Sequence, residues 1–365
     1  MKITAIETHI HELPLKSEYH MISALGKHHS SRFVLIRINT NTGIEGLGEA
    51  SIDVRWSGET AIGTCEVIEN VLFPAIQDCE IEDIDEIQRR MDFCCAHNWF
   101  SKSAIEMACW DVLGKDAGKP LYELLGGAVR PLTFRSRFSM GAYDVPRAQR
   151  RAQELIEMGF TTIKVKVGGC AEDDVARVRA VRNVIGFDPD LVIDANNGWS
   201  PDIAIDCLRA LQDCRVDLVE QPTPKGDFQA MARVRRETGA RILADDICFD
   251  LADAKELIHN DCCDCISVYP GKNGGIGKTI EIIRFAEQHG IPCSIGSNLE
   301  WDIGTAAMAH VVVSQTNMNI ESFPGDVLGP SYHEGNTVTE PISIRGPLTT
   351  TPKAPGLGIG ELTLT

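Results

Sequence analysis

Residues 162–194 have the sequence TIKVKVGGCAEDDVARVRAVRNVIGFDPDLVID, and this stretch decides the fold. It begins with a short apolar run, Thr162 to Val167, and ends with another, Leu191 to Asp194. A segment of helical length lies between the two runs. The stretch therefore predicts a strand, a helix and a second strand parallel to the first.

The same alternation continues from about residue 133 to about residue 320. Short apolar runs alternate there with helical segments of about ten to fifteen residues. Parallel strands with intervening helices predict an α/β barrel. The eight predicted strands are Phe134 to Met140, Thr162 to Val167, Leu191 to Asp194, Asp217 to Glu220, Ile242 to Asp245, Cys265 to Tyr269, Cys293 to Gly296, and Asn317 to Glu321.

Different patterns flank this region. Residues 1–50 alternate like an antiparallel meander, and residues 59–118 have a helical period that ends near Gly114 or Gly118. The segment after Ser322 is rich in Pro, Gly and Thr, so we expect an ordered tail that returns over the first domain, with disorder as the alternative. We therefore expect an α+β capping domain at 1–130, a barrel at 131–325 and a C-terminal tail at 326–365.

The composition excludes several classes of protein. Among 365 residues, 35 Lys and Arg face 52 Asp and Glu, and the net charge of −17 argues against a nucleic-acid binder with a basic surface. No stretch approaches the roughly 18 apolar residues of a membrane helix. The first residues resemble no export signal, and the 13 cysteines form no disulfide framework. We expect a cytoplasmic, homo-oligomeric protein that does not bind membranes.

Carboxylates recur at the ends of the predicted strands. Asp194 and Glu220 are 26 residues apart, Glu220 and Asp245 are 25 apart, and Lys272 follows after another 27. Each interval is about one strand–helix unit, so in a barrel these side chains converge at one mouth. Oxygen ligands from three strands suit Mg²⁺, and without a cation the carboxylates would raise one another's pKa. The alternative is that these acidic residues cap helices.

Two lysines lie on the strand before this series. Lys164 and Lys166 alternate with Val165, so both side chains point to the same side of the strand. Burial and mutual repulsion are expected to lower a lysine pKa from about 10.4 toward about 7 to 8, which would make a usable base. The alternative is a pair whose ammonium groups reach solvent. Glu300, after the seventh strand, also faces the mouth or else favours a helix dipole.

These residues resemble the enolase superfamily, and within it the muconate lactonizing enzyme subgroup, over nearly the whole chain. One departure is Asp246, where relatives often carry Glu. The matching motifs are the Lys-x-Lys of Lys164 and Lys166, the Asp-Ala-Asn of Asp194 to Asn196, Val219-Glu220-Gln221-Pro222, Ala244-Asp245-Asp246, Lys272-Asn273-Gly274-Gly275 and Leu299-Glu300.

The resemblance implies a modified TIM barrel, (β/α)₇β, whose α+β N-terminal capping domain is completed by the C-terminal tail. It implies Asp194, Glu220 and Asp245 as ligands of Mg²⁺, for which Mn²⁺ could substitute. Lys166 and Lys272 would then be bases on opposite faces of a small-molecule carboxylate substrate. The assisting, substrate-binding or supporting residues would be Lys164, Glu300, Asn196, Asp246, Trp56, His28 and Arg55.

The reaction shared by that superfamily is removal of a proton α to a carboxylate, which gives an enediolate. We expect a racemase, an epimerase or a cycloisomerase, because the His–Asp dyad typical of mandelate-racemase-like enzymes and sugar-acid dehydratases is missing near the sixth and seventh strands. The alternatives are a dehydratase that uses the same half-reaction, a Schiff-base aldolase that uses Lys164 or Lys166, and a non-catalytic relative.

Overall fold

Alternation of polar and apolar residues builds an antiparallel sheet at the N-terminal end, as predicted. In the computed structural model, which describes residues 1–336 and 338–363, this sheet has three strands in the order in which the chain forms them. A two-stranded hairpin, Met21–Ser23 and Gly26–His28, lies between the first and second strands. The strands of the sheet are Ile3–Pro14, Ser30–Thr40 and Glu45–Ile52.

A long, mostly buried helix, Trp99–Ala117, packs on this sheet. It ends at Gly118, whose φ of 63° is one that glycine adopts without strain. Gly48 lets the sheet approach the helix closely, since a Cβ at that position would lie 1.9 Å from the carbonyl oxygen of Ala104. The other helical segments of this unit are Ser17–Tyr19, Val54–Ser57, Ala61–Val67, Ile68–Leu72, Phe73–Ile76, Ile84–Cys94 and Leu121–Leu124.

Seven parallel strands follow in a single curved sheet, in chain order, and helices separate them. We number them as the first to seventh barrel strands: Phe138–Met140, Thr162–Lys166, Asp190–Asp194, Leu218–Glu220, Ile242–Ala244, Cys265–Val268 and Cys293–Ile295. The helical segments of this region are Val145–Glu157, Ala171–Ile185, Pro201–Ala210, Gln212–Cys214, Phe228–Thr238, Leu251–His259, Pro270–Asn273, Ile276–Gln288, Asp302–Ser314 and Gly329–Tyr332. The predicted modified TIM barrel with an α+β cap is confirmed.

The predicted eighth strand, Asn317 to Glu321, is wrong as a strand. It forms only an isolated parallel bridge, in which Met318 is opposite Cys293. The chain turns there because the backbone N–H of Ser322 donates to the side chain of Asn319, 3.1 Å away. Before the turn, the N–H of Cys293 donates to the carbonyl of Asn317 and the N–H of Asn319 donates to the carbonyl of Cys293, and the turn ends the pairing there.

Irregular residues after that turn fill the gap between the first and seventh strands. The N–H of Arg137 donates to the carbonyl of Gly325, and the N–H of Asp326 donates to the carbonyl of Ile295. The predicted strand Phe134 to Met140 is accordingly divided in two. Its second part is the first barrel strand, and its first part, Thr133–Arg135, belongs to another sheet.

That other sheet contains the C-terminal segment. Two strands, Ser343–Arg345 and Leu348–Thr350, form a hairpin that pairs with Thr133–Arg135. Further on, the N–H of Leu357 donates to the carboxylate of Asp111 on the long cap helix, at 2.8 Å. The boundaries 1–130, 131–325 and 326–365 stay a prediction. Among the described residues, no helix combines the length and apolar character needed to span a membrane.

Candidate active site

A cavity of about 280 Å³ lies at the C-terminal ends of the barrel strands. The cap covers it with the hairpin after the first strand and with the segment Asp53 to Trp56. Twelve of the residues that line it come from the barrel strand ends or the loops after them: Ser139, Lys164, Lys166, Asn196, Glu220, Asp245, Asp246, Tyr269, Ser297, Asn298, Leu299 and Asp326.

Lys164 and Lys166 point to the same side of the second barrel strand, as predicted, and both contact Asp194. The Nζ atom of Lys164 lies 3.1 Å from Asp194 Oδ2 and 2.9 Å from Glu220 Oε1. Lys166 donates to Asp194 and, at 2.6 Å, to Asn196 Oδ1. Asp194 itself is fully buried beneath the cavity. The sheet register explains this cluster, since Lys166 and Glu220 are both opposite Asp194 on neighbouring strands.

Lys164 does not show the fall in pKa that was expected for one of the two lysines. Burial does lower the pKa of this ammonium group, but the charges of Glu220 and Asp194 outweigh burial, so the net shift is upward. Burial of Asp194 would raise the pKa of its carboxyl group, but the ammonium groups of Lys166 and Lys164 outweigh burial and lower that pKa. The prediction from the sequence took account of the repulsion between the two lysines, which lowers their pKa. It did not take account of the carboxylates in contact with them, which raise it.

Lys272 lies on the far side of the carboxylate row. Its Nζ atom donates to Asp245 Oδ1 at 2.8 Å and to the backbone carbonyl of Ser267 at 2.7 Å. It is fully buried and is not among the residues that line the cavity. Asp194 and Glu220 are the last residues of the third and fourth strands and Asp245 follows the fifth, whereas the lysines belong to the second strand and to the segment after the sixth. The lysines therefore flank the carboxylates.

Gln221 positions one of these carboxylates. Its Oε1 atom accepts hydrogen bonds from the N–H groups of Asp245, at 3.1 Å, and Ile247, at 3.2 Å. Its φ of 38° is unusual for a residue with a side chain, and Asn196 and Leu299 have φ values of 41° and 57° beside the same cavity. Backbone strain of this kind concentrates at functional sites.

Two site residues were missed by sequence reasoning. Arg137 is fully buried and donates from Nη2 to Glu220 Oε2 at 2.6 Å. Asp326 lines the cavity and accepts from Ser139 Oγ at 2.8 Å and from Tyr332 Oη at 3.1 Å. Neither residue belongs to a motif with regular spacing. The only available signal for Asp326 was its position just after the predicted eighth strand.

Asp246 connects the barrel to the cap. Trp56 donates to Asp246 Oδ1 from its ring nitrogen, and its ring stacks on Tyr269 with centroids 5.6 Å apart. The amide of Asn196 donates to the other carboxylate oxygen of Asp246 at 3.4 Å. Burial, together with the charges of Asp245 and Asp194, raises the pKa of Asp246 to about 7. Trp56 thus closes one wall of the cavity.

The remaining predicted residues lie at the rim of the cavity or behind its wall. His28 and Arg55 line the cavity from the cap, and Arg55 donates to the carbonyl of Leu25 in the hairpin. Glu300 is buried outside the cavity lining, where it accepts from Ser297 Oγ at 2.8 Å and from the N–H of Asn298 at 2.9 Å. Burial raises the pKa of Glu300 to about 7. Glu300 therefore supports the loop that contributes Ser297 to Leu299 to the cavity.

The donor chemistry of the carboxylate row fits a hard divalent cation. Among the described residues, no three Asp, Glu, His or Cys side chains form a ready metal cluster, because Asp194, Glu220 and Asp245 each point toward a lysine or arginine. All three are nevertheless buried oxygen donors at consecutive strand ends. The charges of Asp194 and Asp245 contribute to a raised pKa of Glu220, for which burial is the main cause. A cation would relieve this repulsion.

Two family models match the chain. The model described as "Mandelate racemase / muconate lactonizing enzyme, N-terminal domain" matches residues 5–126, and that described as "Enolase C-terminal domain-like" matches residues 147–360. The chain belongs to the mandelate racemase/muconate lactonizing enzyme family of the enolase superfamily. It is 35% identical to a hydrophobic dipeptide epimerase of Enterococcus faecalis over 99% of its own length and 100% of the relative's.

Solved structures of family members resemble the whole chain. The Enterococcus faecalis dipeptide epimerase complexed with Mg and L-Leu-L-Tyr has a TM-score of 0.93 at 34% identity, over 99% of this chain and 100% of that one. The substrate-liganded L-Ala-D/L-Glu epimerase of Bacillus subtilis has a TM-score of 0.94 at 30% identity, over 100% of both chains.

A further relative by sequence is muconate cycloisomerase 1 of Pseudomonas putida, which is 29% identical over 96% of this chain and 93% of its own. This member of the enolase superfamily is thus an isomerase, which leaves the aldolase and non-catalytic alternatives without support.

Proposed function

We propose that this chain epimerises dipeptides at the carbon α to the free carboxylate, through an enediolate and with Mg²⁺ as cofactor. The observation that carries the proposal is the buried row of Asp194, Glu220 and Asp245, flanked by lysines on both sides. The similarity to dipeptide epimerases, one of them complexed with Mg and a dipeptide, supports both the substrate class and the cofactor.

In this proposal the three carboxylates hold the metal ion. Mn²⁺ is expected to replace Mg²⁺, because both ions prefer carboxylate oxygen ligands. When bound, the ion supplies positive charge that makes the α-proton of a neighbouring carboxylate more acidic. Lys164 lines the cavity beside Glu220 and is proposed to bind the substrate carboxylate through its ammonium group.

Lys166 and Lys272 are proposed to move the proton. One lysine, in its neutral form, takes the α-proton at Nζ, and the other delivers a proton to the opposite face of the carbon, which inverts it. Asp194 and Asp245 accept hydrogen bonds from these two Nζ atoms and stabilise each ammonium group as it forms. Asn196, which accepts from Lys166 Nζ, is proposed to orient that base.

Asp326 favours a dipeptide over other carboxylates. Its Oδ2 atom accepts two hydrogen bonds, but its buried Oδ1 atom has no partner among the described residues. A buried carboxylate oxygen without a partner is costly, and the ammonium group of a dipeptide would pair with it. A muconate has only carboxylates at its ends and would be repelled there.

A second candidate is cycloisomerisation of a dicarboxylate. Lys27 and Arg55 line the mouth of the cavity, and neither lies within 4.0 Å of a carboxylate oxygen in the described part of the chain. Two such cations would suit a second substrate carboxylate. A dehydratase that uses the same half-reaction is a further alternative, and no particular residue favours it.

The test is α-proton exchange in D₂O. The protein would be incubated with Mg²⁺ and, separately, with hydrophobic, acidic and basic L,L-dipeptides, N-succinyl amino acids and cis,cis-muconate. We expect deuterium at the α-carbon of the C-terminal residue by ¹H NMR, together with the L,D-dipeptide by chiral chromatography. Lactone formation from muconate, with no deuterium in any dipeptide, would contradict the proposal and favour the second candidate.

A further inference from the structure

A chain of hydrogen bonds runs from the cavity into the interior. The Nε2 atom of His28 lies 2.9 Å from Ser31 Oγ, and Ser31 Oγ lies 2.8 Å from His333 Nε2. The Nδ1 atom of His333 lies 2.8 Å from the backbone carbonyl oxygen of Gly329. His28 lines the cavity, whereas Ser31 and His333 are buried. The cap hairpin is thereby connected to the C-terminal segment.

At the inner end of this hydrogen-bonded series, the partners of His333 permit only one arrangement of hydrogens. A carbonyl oxygen only accepts, so the Nδ1 atom of His333 carries a hydrogen. Burial lowers the pKa of His333 to about 4, so its ring is neutral near pH 7 and its Nε2 atom is an acceptor. The hydroxyl group of Ser31 must then donate its single hydrogen to His333.

This polarity carries over to His28. Since the hydrogen of Ser31 is used, Ser31 Oγ can only accept from His28, whose Nε2 atom must be the donor. Burial lowers the pKa of His28, with Asp53 opposing and His29 assisting this shift, so the neutral ring is favoured. Its Nδ1 atom then carries a lone pair. Among the described residues Nδ1 makes no hydrogen bond, and it is the ring nitrogen left for a ligand.

The arrangement is held in place by packing. The ring of His333 contacts Phe33 and Trp301 edge to face, with centroids 5.5 Å and 5.1 Å away. Gly329 lies so close to the carbonyl of Glu300 that a Cβ would approach to 1.6 Å. A half-turn of the His333 ring would put carbon atoms where Nδ1 and Nε2 now meet Gly329 and Ser31, so the two hydrogen bonds fix which ring atom faces each partner.

We infer that the chain of His28, Ser31 and His333 presents His28 Nδ1 as an acceptor for the amide N–H of the substrate. The inference rests on the proposed function and deepens it. Asp326 is already assigned to the ammonium group of the dipeptide, and His28 would recognise its amide group. Among carboxylates with an acidic α-proton, this acceptor selects those with an amide N–H. Muconates and ester analogues lack such a donor.

The test compares a dipeptide with its depsipeptide, in which an ester oxygen replaces the amide N–H. Deuterium exchange would give kcat/KM for both substrates with wild type, Ser31→Ala and Ser31→Thr. One neutral hydrogen bond corresponds to a preference of roughly three- to tenfold for the dipeptide in wild type. Ser31→Ala should bring this ratio close to one by slowing the dipeptide alone. Ser31→Thr, which keeps the hydroxyl group, should preserve the ratio.

Ser30→Ala is the matched control, because the Ser30 hydroxyl donates to Glu12 at the surface. It should behave as wild type. If Ser31→Ala leaves the ratio unchanged, or slows both substrates equally, the inference is overturned. If neither wild type nor any variant turns over either substrate, the proposed function fails, and the inference about His28 fails with it.

The hydrogen positions can be observed independently of activity. ¹⁵N NMR of histidine-labelled protein near pH 7.5 distinguishes the two neutral tautomers and the imidazolium form, and His28→Gln identifies the signal of His28. We expect a hydrogen on Nε2 of His28 and a lone pair on Nδ1. The ¹⁵N resonance of Nδ1 should shift when the dipeptide is added. An Nδ1–H tautomer or an imidazolium would refute the assigned polarity even in an active enzyme.

Discussion

Glu106 and Gly277 join the cap to the barrel through a hydrogen bond of 2.8 Å from the N–H of Gly277 to Glu106 Oε1. Gly277 lies in the first turn of the barrel helix Ile276–Gln288, where backbone N–H groups have no partner within the helix. A second bond runs from the N–H of Ile276 to the same carboxylate. Since helices of a barrel begin at the C-terminal ends of its strands, this contact holds the cap over the cavity.

Replacing Glu106 by Ala should therefore destabilise the whole protein. The N–H groups of the buried Ile276 and the half-buried Gly277 would lose their acceptor, so we expect the free energy of unfolding to fall by about 2 to 4 kcal/mol in urea denaturation. Glu281→Ala, at an exposed position of the same barrel helix, is the control and should change stability by less than about 0.5 kcal/mol. Equal effects of the two substitutions would show that the contact contributes nothing.

Glu49 should make stability depend on pH. It accepts from the N–H groups of Trp301, at 2.7 Å, and Gly304, at 3.0 Å. Burial, opposed by these donors and assisted by the charge of Glu300, raises its pKa from 4.5 to about 8. The folded state then holds the proton more tightly than the unfolded state, so stability falls as the pH rises from about 4.5 to about 8.

Glu49→Gln removes this titration. Relative to the variant, wild type should lose on the order of 3 kcal/mol between pH 5 and pH 8.5. Urea denaturation of both proteins at the two pH values measures the change. A difference between wild type and variant that is the same at both pH values would mean that Glu49 does not titrate in this window.

Activity is expected to require a divalent cation. Protein treated with EDTA should not exchange the α-proton, and Mg²⁺ should restore exchange. Asp245→Asn should weaken Mg²⁺ binding, measured by calorimetry, by at least about a hundredfold, since loss of a mere supporting group already costs 10- to 100-fold. Asp206→Asn, at an exposed position, is the control. Full turnover by metal-depleted wild type would rule out the metal.

The two flanking lysines should be separable by isotope exchange. If each handles the proton of one stereoisomer, Lys272→Ala should still exchange the α-proton of one isomer through Lys166 but give no inverted product. Lys166→Ala should exchange only the other isomer. In a cycloisomerase only one lysine would carry the proton, and removing it would stop exchange with every isomer. Comparable exchange of the same isomer by both variants would exclude bases on opposite faces.

The C-terminal segment should stabilise the cap. Deletion from Asn336 onward would remove the contact of Leu357 with Asp111 and the hairpin beside Thr133–Arg135, so the melting temperature should fall. Asp111→Ala removes this contact in the full chain, together with the hydrogen bond that Asp111 accepts from the N–H of Leu47, and should lower the free energy of unfolding by about 1 to 3 kcal/mol. Asp116→Ala, exposed on the same helix, is its control. Unchanged melting of the truncated protein would indicate an independent tail.

Much of the barrel could be predicted because its pattern is local. Hydrophobic periodicity repeats within each strand and helix, so six of the eight predicted strands, and the second half of the first, lie where the chain forms barrel strands. The alternation around Val165 places Lys164 and Lys166 on one side, and the regular spacing brings Asp194 and Glu220 to neighbouring strand ends. The eighth strand failed because hydrogen bonds to Asn319 turn the chain, and periodicity does not register such bonds.

Only the tertiary structure decided which distant groups meet. Arg137 contacts Glu220, and Ser31 contacts His333 across 302 positions of the chain, without any periodic signal. The raised pKa of Lys164 likewise depends on carboxylates that other strands supply. The sequence determined the alternation of strands and helices, and so the ring of strand ends, because those are properties of neighbouring residues. The polarity of the hydrogen bonds and the charge balance depend on packing between residues far apart in the chain, which local pattern does not encode.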